Sequence, residues 1–453
     1  MSGRTHELRR DTRDDASVPG LKIGIVGAGV TGLSAAYDLL KRGHEVTLFE
    51  AADHTGGLAA GFKDETWEWP LEKFYHHLFT SDDAIIGLVG ELGIGDKLFF
   101  PRPITSVVYE GNIVPFDSPL AWIRFPGFNL LDVARFGLVS AYLRFTSPWR
   151  SLEKFTADNW LRRWYGDKIY ELTWRPLLIG KFGPYFTKAN MAWMWARLKV
   201  RSPRLGYFRG GFQMFVDTLT ENVRQLGGQI YLNSPVQSIE PVDGGAIRLR
   251  ISGEPALFDR GLVTTSPGLL SRMAYTLPPR YVGQLAGLKS MGAVVLTLAL
   301  RRQLMPETYW LNIPANSPEK SQSKFPFLAL VEHTNYIDRA HYGDDHIIYC
   351  GDYVLPDHAY FTMSKDDLES LFVQSLHHVN KEFRPEWVRK SWLFRARYAQ
   401  PVPEVNHSQN IPDLRTPIPN LYFASMSQVY PWDRGTNFAV KIGREVATLI
   451  QKG

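Results

Sequence analysis

Residues 22–32 of the chain read KIGIVGAGVTG, and this stretch decides the fold. The apolar residues 22–26 predict a short strand, and the glycine turn after them leads into a helix that Gly43 is expected to cap. A second strand is predicted over 44–49, and it is followed directly by Glu50. Strand, glycine turn, helix and strand in this order predict a βαβ unit of the dinucleotide-binding type.

Each residue of the glycine turn has its own predicted task. Gly27 allows the tight turn, Gly29 lets a diphosphate approach the backbone, and Gly32 lets the helix pack closely on the strand. The amides at the start of the helix, including that of Thr31, are expected to hold the phosphates. Glu50 lies 18 positions after Gly32, where a carboxylate accepts hydrogen bonds from the adenosine ribose and repels the 2′-phosphate of NADP.

The composition narrows the class of protein. Lysine and arginine number 51 against 46 acidic residues in 453, a net charge of +5 that is too thin for a dedicated nucleic-acid binder. The partner is therefore expected to be a small molecule. The 13 Trp, 20 Tyr and 26 Phe suit a large ligand cavity, a lipophilic substrate or a membrane-touching face, and a thick aromatic core explains them equally well.

Cysteine usage and the amino terminus bear on location and on metals. Cys350 is the one cysteine of the sequence, which excludes an internal disulfide and a cysteine-based zinc site and favours a reducing compartment such as the cytoplasm. Residues 1–20 lack the apolar segment of a signal peptide and are expected to form a disordered tail. No apolar run reaches 18 residues. No metal site is predicted.

A second glycine pair identifies the kind of dinucleotide. Gly56, Gly57 and Leu58 follow Glu50 closely. Together with the first turn and the acid, this pattern resembles the fingerprint of the FAD-binding amine oxidase superfamily, which includes protoporphyrinogen oxidase, phytoene desaturase and, more distantly, UDP-galactopyranose mutase. The resemblance implies FAD as the cofactor, with these three residues beside its diphosphate.

The resemblance continues more loosely along the chain. Residues 207–211 resemble the aromatic-x-Gly-Gly motif before a long helix, and Val236 is similar to the position that offers backbone groups to the adenine. Residues 420–424 resemble the strand that leads to the flavin, but Ser-Met follows where many members have Gly-Asp. Asp433 and Asn437 are the local substitutes, just before a closing helix over 436–451 whose dipole would stabilise an anionic reduced flavin.

The predicted fold class is α/β, with two interleaved domains. A Rossmann-like FAD-binding domain is expected to combine three segments, and an α+β substrate domain the two segments between them, so that the ligand cleft lies at their interface. The segments of the first domain are 21–75, 205–290 and 400–453. Those of the second are 76–204 and 291–399.

Three residues are candidates for catalysis because of the resemblance. His76 lies in a stretch that passes near the flavin in superfamily members and matches the first histidine of the mutases, although it would equally satisfy a buried hydrogen bond. Lys289 lies where amine-oxidising members have a lysine that holds water near flavin N5. Tyr430 would form an aromatic wall over the flavin with Tyr398 and Trp432, and ordinary core packing is the alternative for these rings.

Cations in apolar surroundings are candidates for substrate binding. Arg175 and Lys181 lie in the apolar stretch 174–183, which indicates an anion site for a carboxylate or phosphate or, alternatively, a solvated basic helix end. Arg395, with its neighbours Arg397 and Arg434, suits bidentate pairing with a diphosphate, the role that arginine has in the mutases.

Two functions from different classes follow. The first is an FAD-dependent oxidoreductase that transfers hydride to flavin N5 from a large, partly apolar substrate such as a polyene, a porphyrinogen or a lipid-linked molecule. The alternative is a non-redox sugar-nucleotide mutase, in which reduced flavin acts as a nucleophile. A non-catalytic FAD-bound scaffold is a third reading. Residues 122–149 mix Trp, Phe, Leu and Arg, which predicts a face on an anionic membrane or, alternatively, one buried in a homo-oligomer.

Overall fold

The computed structural model describes residues 20–253, 255–320 and 323–453. The predicted disordered tail therefore lies outside the described residues, apart from Gly20. Within those ranges the strands are numbered β1–β20 and the α-helices α1–α14 in chain order.

A parallel sheet of five strands carries the glycine turn at its centre. The strand order is β10-β2-β1-β14-β20, and every pairing is parallel. Each strand is short and mostly apolar, as expected for a sheet that is covered on both faces. The predicted Rossmann-like α/β fold is thereby confirmed. The strands are β1 (Lys22–Val26), β2 (Glu45–Phe49), β10 (Gln229–Tyr231), β14 (Arg260–Val263) and β20 (Leu421–Phe423).

Three long helices pack around this sheet. They share one apolar core with β1 and β2. They are α1 (Val30–Lys41), α10 (Gly211–Gln225) and α14 (Thr436–Lys452). The predicted closing helix is thus confirmed, one residue longer than expected.

Residues 257–265 predict one further strand from their sequence, and this prediction is wrong because the chain changes sheet at Asp259. The part before it is β13 (Ala256–Phe258), which joins β11 (Ser238–Pro241) and β12 (Ile247–Arg250) in an antiparallel sheet. The part after it is β14. The Asp259 carboxylate accepts a hydrogen bond from the Lys22 amide at 2.7 Å, which ties the crossing point to the first residue of β1.

A mixed sheet of seven strands forms the second large layer, in the order β19-β15-β18-β17-β16-β7-β8. Its longest central strand, β15, is apolar along nearly its whole length because both faces are buried, Val294 in one core and Val295 in another. The strands are β7 (Ile104–Tyr109), β8 (Asn112–Pro115), β15 (Ser290–Leu300), β16 (Thr308–Asn312), β17 (Ala329–Glu332), β18 (His346–Val354) and β19 (Val388–Pro401).

A helical region rich in aromatic side chains follows the first strands of this sheet. The sequence predicts helices over 130–145 and 156–174. The first is confirmed, and a capping box between Asn129 and Asp132 begins it. The second is interrupted at Gly166, which has a φ of +87°. The helices are α3 (Pro119–Arg124), α4 (Leu130–Phe145), α5 (Trp149–Leu152), α6 (Ala157–Tyr165), α7 (Asp167–Ile169), α8 (Arg175–Phe182) and α9 (Met191–Val200).

The remaining elements are short strands and peripheral helices. The strands are β3 (Gly61–Phe62), β4 (Leu71–Glu72), β5 (Leu78–Phe79), β6 (Leu98–Phe99) and β9 (Leu205–Phe208). The helices are α2 (Asp83–Glu91), α11 (Pro267–Met273), α12 (Pro279–Gly287) and α13 (Lys365–Ser375). Among the helices of the described residues, none combines the length and the apolar character that a bilayer span requires. The division of the chain into two domains at the predicted boundaries stays a prediction.

Candidate flavin and substrate site

The first glycine turn requires glycine at two positions. Gly27 has a φ of +103°, in the left-handed region that favours glycine. Its amide donates to the carbonyl of Phe49 at 2.8 Å, which fixes the end of β1 against β2. A Cβ on Gly32 would lie 2.1 Å from the Gly27 carbonyl oxygen, so the close approach of α1 to the turn requires glycine there.

Helix α1 begins with amides that no side chain of the helix caps. Its N-cap residue is Gly29, and its first turn, which contains Thr31, has no acidic residue. A Cβ on Gly29 would meet only the Cα of Gly57, at 3.9 Å, so the space in front of this residue is otherwise open. Free amides at a helix N-terminus, together with the helix dipole, form a site for phosphate.

The second glycine turn lies directly against the first. The amide of Gly56 donates to the carbonyl of Ala28 at 2.9 Å, and Gly56 and Gly57 have φ values of +102° and +58°. A Cβ on Gly57 would lie 3.2 Å from the Cα of Gly29. The two turns, with half-buried Leu58 after them, therefore form a crevice, the glycine crevice, that an added side chain would fill. A crevice lined by backbone fits the diphosphate of FAD.

The Glu50 side chain fixes the backbone of the glycine crevice through hydrogen bonds. Its Oε2 accepts a hydrogen bond from the Ala28 amide at 2.8 Å, and its Oε1 accepts one from the Ala52 amide at 2.9 Å. Each carboxylate oxygen keeps a free lone pair for a ribose hydroxyl. The carbonyl of Glu50 accepts from the Ser234 amide at 2.8 Å, which places the loop that contains Val236 at the same end of the sheet.

Helix α14 points its amino end toward the same side of the molecule as α1. A Cβ on Gly443 would lie 2.5 Å from the Thr31 carbonyl oxygen, and two turns further along α1 Arg444 Nε donates to Asp38 Oδ2 at 3.1 Å. One turn beyond Asp38, Arg42 donates to the Thr448 hydroxyl at 3.1 Å. The two helices therefore run parallel. The start of α14 has no side-chain cap and no acid in its first turn. The side chain of Asn437, predicted to hold the cofactor, accepts instead from the Ile85 amide of α2 at 3.1 Å.

A buried carboxylate, Glu72, holds the start of α10 beside the glycine crevice. Its Oε1 accepts from the Tyr207 hydroxyl at 2.9 Å and from the Phe212 amide at 2.8 Å. The Tyr349 hydroxyl of the seven-stranded sheet donates to the Glu72 carbonyl at 2.9 Å. Burial raises the pKa of the Glu72 carboxyl to about 7, and the donors from Phe212 and Tyr207 act in the opposite direction.

His76 is half-buried, and its imidazole is neutral at pH 7. Burial lowers the pKa of its imidazole to about 4, and its Nδ1 contacts the carbonyl oxygen of Phe74. A carbonyl only accepts, so the proton lies on Nδ1 and Nε2 is an acceptor. The ring lies 5.6 Å from that of Phe212 at the start of α10. Burial lowers the pKa of the adjacent His77 to about 3, and its ring packs beside Trp310 instead.

Lys289 and Tyr430 belong to one network of hydrogen bonds and ion pairs, and each of them binds other side chains of the protein. The Tyr430 hydroxyl donates to Glu153 Oε2 at 3.1 Å and accepts from Asn190 at 3.0 Å. Lys289 pairs with Glu404 at 2.8 Å, and Asn190 also donates to the carbonyl of Glu404 at 2.7 Å. Their predicted catalytic roles stay predictions, and the network gives both residues a structural task.

The other two predicted wall residues lie near the start of α14. The Tyr398 hydroxyl lies 2.7 Å from Ser427 Oγ and accepts from the Ser427 amide at 3.0 Å. The Trp432 ring stacks on Phe438 with centroids 5.9 Å apart and also contacts Trp195 at 5.6 Å.

The predicted cation Lys181 is buried, and Asp433 is its ion-pair partner. Its Nζ lies 3.9 Å from Asp433 Oδ2, to which Arg197 donates at 3.2 Å. Burial lowers the pKa of Lys181 well below its usual value. Although burial favours the neutral acid, Lys181 and Arg197 hold the pKa of Asp433 below its usual value. Asp433 therefore binds cations of the chain here.

Arg175 and Arg395 lie elsewhere. Arg175 precedes Lys181 by six positions on α8, which puts it on a different helix face, and its Nε lies 3.7 Å from Glu171. Arg395 is paired across the sheet with Val294 and donates to the carbonyls of Tyr360, at 2.8 Å, and Met363. The structure therefore does not bring these two arginines to Lys181.

Arg197 is a candidate that sequence reasoning missed. It ends a run of buried residues on α9, from Met191 to Ala196. Like Lys181, Arg197 is a cation in an apolar stretch of the sequence, and this pattern could have identified it.

Comparisons with known proteins agree with this geometry. Residues 30–451 match the family model described as flavin containing amine oxidoreductase. A 15-cis-phytoene desaturase from Narcissus pseudonarcissus is 26% identical over 262 residues, 52% of this chain and 45% of that protein. The chain spans about half the length of the first curated relatives it matches.

Solved structures share the fold at low identity. Cyclohexylamine oxidase from Brevibacterium oxydans IH-35A superimposes with a TM-score of 0.72 at 16% identity, over 96% of this chain and 99% of that one. Reduced UDP-galactopyranose mutase does so with a TM-score of 0.72 at 18% identity, over 95% and 96%. The glycine crevice and the match over nearly the whole chain together show that this chain belongs to the flavin-containing amine oxidoreductase family, whose members bind FAD.

Proposed function

We propose that this protein is an FAD-dependent oxidoreductase that removes a hydride from a large, partly apolar small molecule. The observation that carries the proposal is the glycine crevice at the uncapped start of α1, braced by Glu50. FAD, when bound, supplies the hydride acceptor and passes the electrons to oxygen or another acceptor.

The chain's own residues would prepare this reaction in three ways. The crevice holds the diphosphate, and the uncapped amides of α14 favour negative charge at its amino end. His76, which is neutral and has a free Nε2, is the proposed proton acceptor. The rings around Trp432 exclude water and offer apolar surface to the substrate.

The test is anaerobic bleaching of the flavin by a panel of four substrates: an amine, a porphyrinogen, a carotenoid precursor and a nucleotide sugar. We expect the purified protein to be yellow, acid to release the colour, and an apolar member of the panel to bleach it, with recovery on addition of an acceptor. A protein that binds no flavin, or that turns over the nucleotide sugar only after prior reduction and without an acceptor, would contradict the proposal.

That second outcome would favour the mutase as the alternative function. One observation supports it, the excess of cations around Asp433, since a sugar nucleotide carries a diphosphate. Consumption of an electron acceptor separates the two functions.

We also propose that the protein acts in the cytoplasm and touches an anionic membrane through α4. Leu131, Leu138 and Phe145 follow each other at seven-residue spacing and are 80%, 72% and 81% exposed. Arg135 and Arg144 lie on the same exposed helix, where they donate to backbone carbonyls at the ends of α6 and α9 and keep their positive charge at the surface. An apolar stripe with arginines beside it matches the interface of an anionic bilayer.

Replacing Leu131 and Leu138 together with serine is expected to weaken binding to phosphatidylglycerol-rich vesicles by about tenfold or more, because two exposed leucines no longer enter the bilayer. Sedimentation with vesicles measures the bound fraction. Leu257→Ser, at a side chain that is 56% exposed on the β11–β13 sheet, is the control and should change nothing. If the double variant instead loses a dimer in solution and binds vesicles as before, the stripe is an oligomer interface.

A further inference from the structure

One carboxylate pairs with two cations on the side of the molecule where α14 begins, and a third cation lies nearby. Asp433 lies within 3.2 Å of Arg197 and 3.9 Å of Lys181. Arg434 lies over the ring of Tyr353, at 5.3 Å, and Lys181 lies over the same ring at 4.5 Å. These four charged residues, the Asp433 cluster, carry a net charge of +2 when all are ionised.

Within residues 20–253, 255–320 and 323–453, Asp433 is the one acidic partner of these cations. Asp352, the acidic residue of β18, pairs with Lys320 at 2.7 Å instead. Asp433 also accepts from Gln400 at 3.2 Å and from the Arg434 amide at 3.0 Å, so its oxygens are shared among several donors.

Donors of the cluster remain without acceptors. The Nε atoms of Arg197 and Arg434 are buried, and each has no hydrogen-bond partner among the described residues. A buried donor without a partner is costly, and a guanidinium that still has free N–H groups pairs with an anion through two parallel hydrogen bonds. Both observations point to an anionic ligand that completes the cluster.

This ligand is distinct from the diphosphate of FAD. Thr31, at the glycine crevice, contacts α14 at Gly443. Gly435 is eight residues nearer the amino end of α14, which corresponds to about 12 Å along a helix. Arg434 and Asp433 therefore lie beyond the first turn of α1, and their partners, Lys181, Arg197, Gln400 and Tyr353, are not residues of the glycine crevice.

We infer that the Asp433 cluster binds the phosphate or diphosphate end of the substrate, an inference that rests on the proposed function. A phosphate ester carries up to two negative charges and so matches the excess of the cluster, whereas a carboxylate carries one. Half-buried Trp432, whose ring centroid lies 5.6 Å from that of buried Trp195, provides apolar surface for the rest of the molecule. The substrate class is thus an apolar molecule with a phosphorylated end.

The test measures binding of decyl phosphate, decanoate, decanol and inorganic pyrophosphate to the FAD-loaded protein by calorimetry. We expect decyl phosphate to bind more tightly than decanoate, and decanol to bind weakest. In Arg434→Gln and in Arg197→Gln the affinity for decyl phosphate should fall by about tenfold or more, the loss of one charge-assisted pair. Arg248→Gln, which changes a surface arginine on β12, should stay within about twofold of the unchanged protein.

The outcomes separate the inference from the proposed function. Equal affinity for decyl phosphate and decanol, or unchanged affinity in both cluster variants, would overturn the inference. Pyrophosphate that binds as tightly as decyl phosphate would show a phosphate site that makes no use of an apolar tail, and would overturn the substrate class. Flavin content and bleaching are measured on the same samples. Binding of decyl phosphate by a protein that binds no flavin would contradict the proposed oxidoreductase function and would still support the anion site.

Discussion

Gly29→Val is expected to give a folded protein that no longer retains flavin. A Cβ at this position meets only the Cα of Gly57, at 3.9 Å, and the backbone φ of −71° is one that valine adopts. The new side chain therefore fits the protein but occupies the glycine crevice, where the diphosphate must approach the backbone. We expect flavin content to fall by about tenfold or more, which corresponds to at least about 1.4 kcal/mol of binding free energy.

The measurement is the ratio of flavin absorbance to protein absorbance after gel filtration, with circular dichroism as the check on folding. Gly268→Val is the matched control, because Gly268 is exposed on α11 and a Cβ there meets nothing within 4 Å. A Gly29→Val protein that carries as much flavin as the control would show that the crevice does not hold the diphosphate.

Glu72→Gln is expected to remove a large part of the dependence of stability on pH. The pKa of the Glu72 carboxyl is raised from 4.5 to about 7 in the folded protein, so the folded state binds this proton more tightly than the unfolded state. The resulting stabilisation is fully present below about pH 4.5 and is lost as the pH rises through about 7. Between pH 5 and pH 8 the loss amounts to about 2–3 kcal/mol of unfolding free energy.

Glutamine does not titrate, and its oxygen still accepts from Tyr207 and Phe212. The unfolding free energy is measured with urea at several pH values. Between pH 5 and pH 8 it should decrease by about 2–3 kcal/mol less in Glu72→Gln than in the unchanged protein. Glu65→Gln, at an exposed glutamate, is the control for the loss of one carboxyl. Parallel pH profiles for the Glu72→Gln and unchanged proteins would contradict the assignment.

The cofactor half of the site was readable from the sequence because its parts are local. Gly27, Gly29 and Gly32 owe their requirement for glycine to contacts within one strand–turn–helix unit, and Glu50 follows two elements later. The same locality made β1, α1 and α4 predictable. Prediction failed where a contact distant in sequence decided the local structure. At 257–265 the sequence predicts one strand, but Asp259 binds the Lys22 amide and the chain passes there from one sheet to another.

The substrate half was not readable in the same way. Lys181, Arg197 and Asp433 come from α8, α9 and the segment before α14, so their meeting depends on how those elements pack. Strand alternation sends Arg395 to the face opposite the cluster, although its sequence surroundings resemble a diphosphate site. Asn437 shows the same limit, because its partner Ile85 is 352 positions away in the chain.

The pairing of β14 with β20 has a consequence for biosynthesis. The last strand of the parallel sheet, Leu421–Phe423, and the helix after it are synthesised after all the other strands of that sheet. Until then, the edge of the sheet and an apolar helix face of the earlier segments are exposed, and this exposure favours aggregation. We therefore expect prosthetic-group insertion to follow synthesis of this strand and helix, and truncations that remove them to accumulate as insoluble, colourless protein.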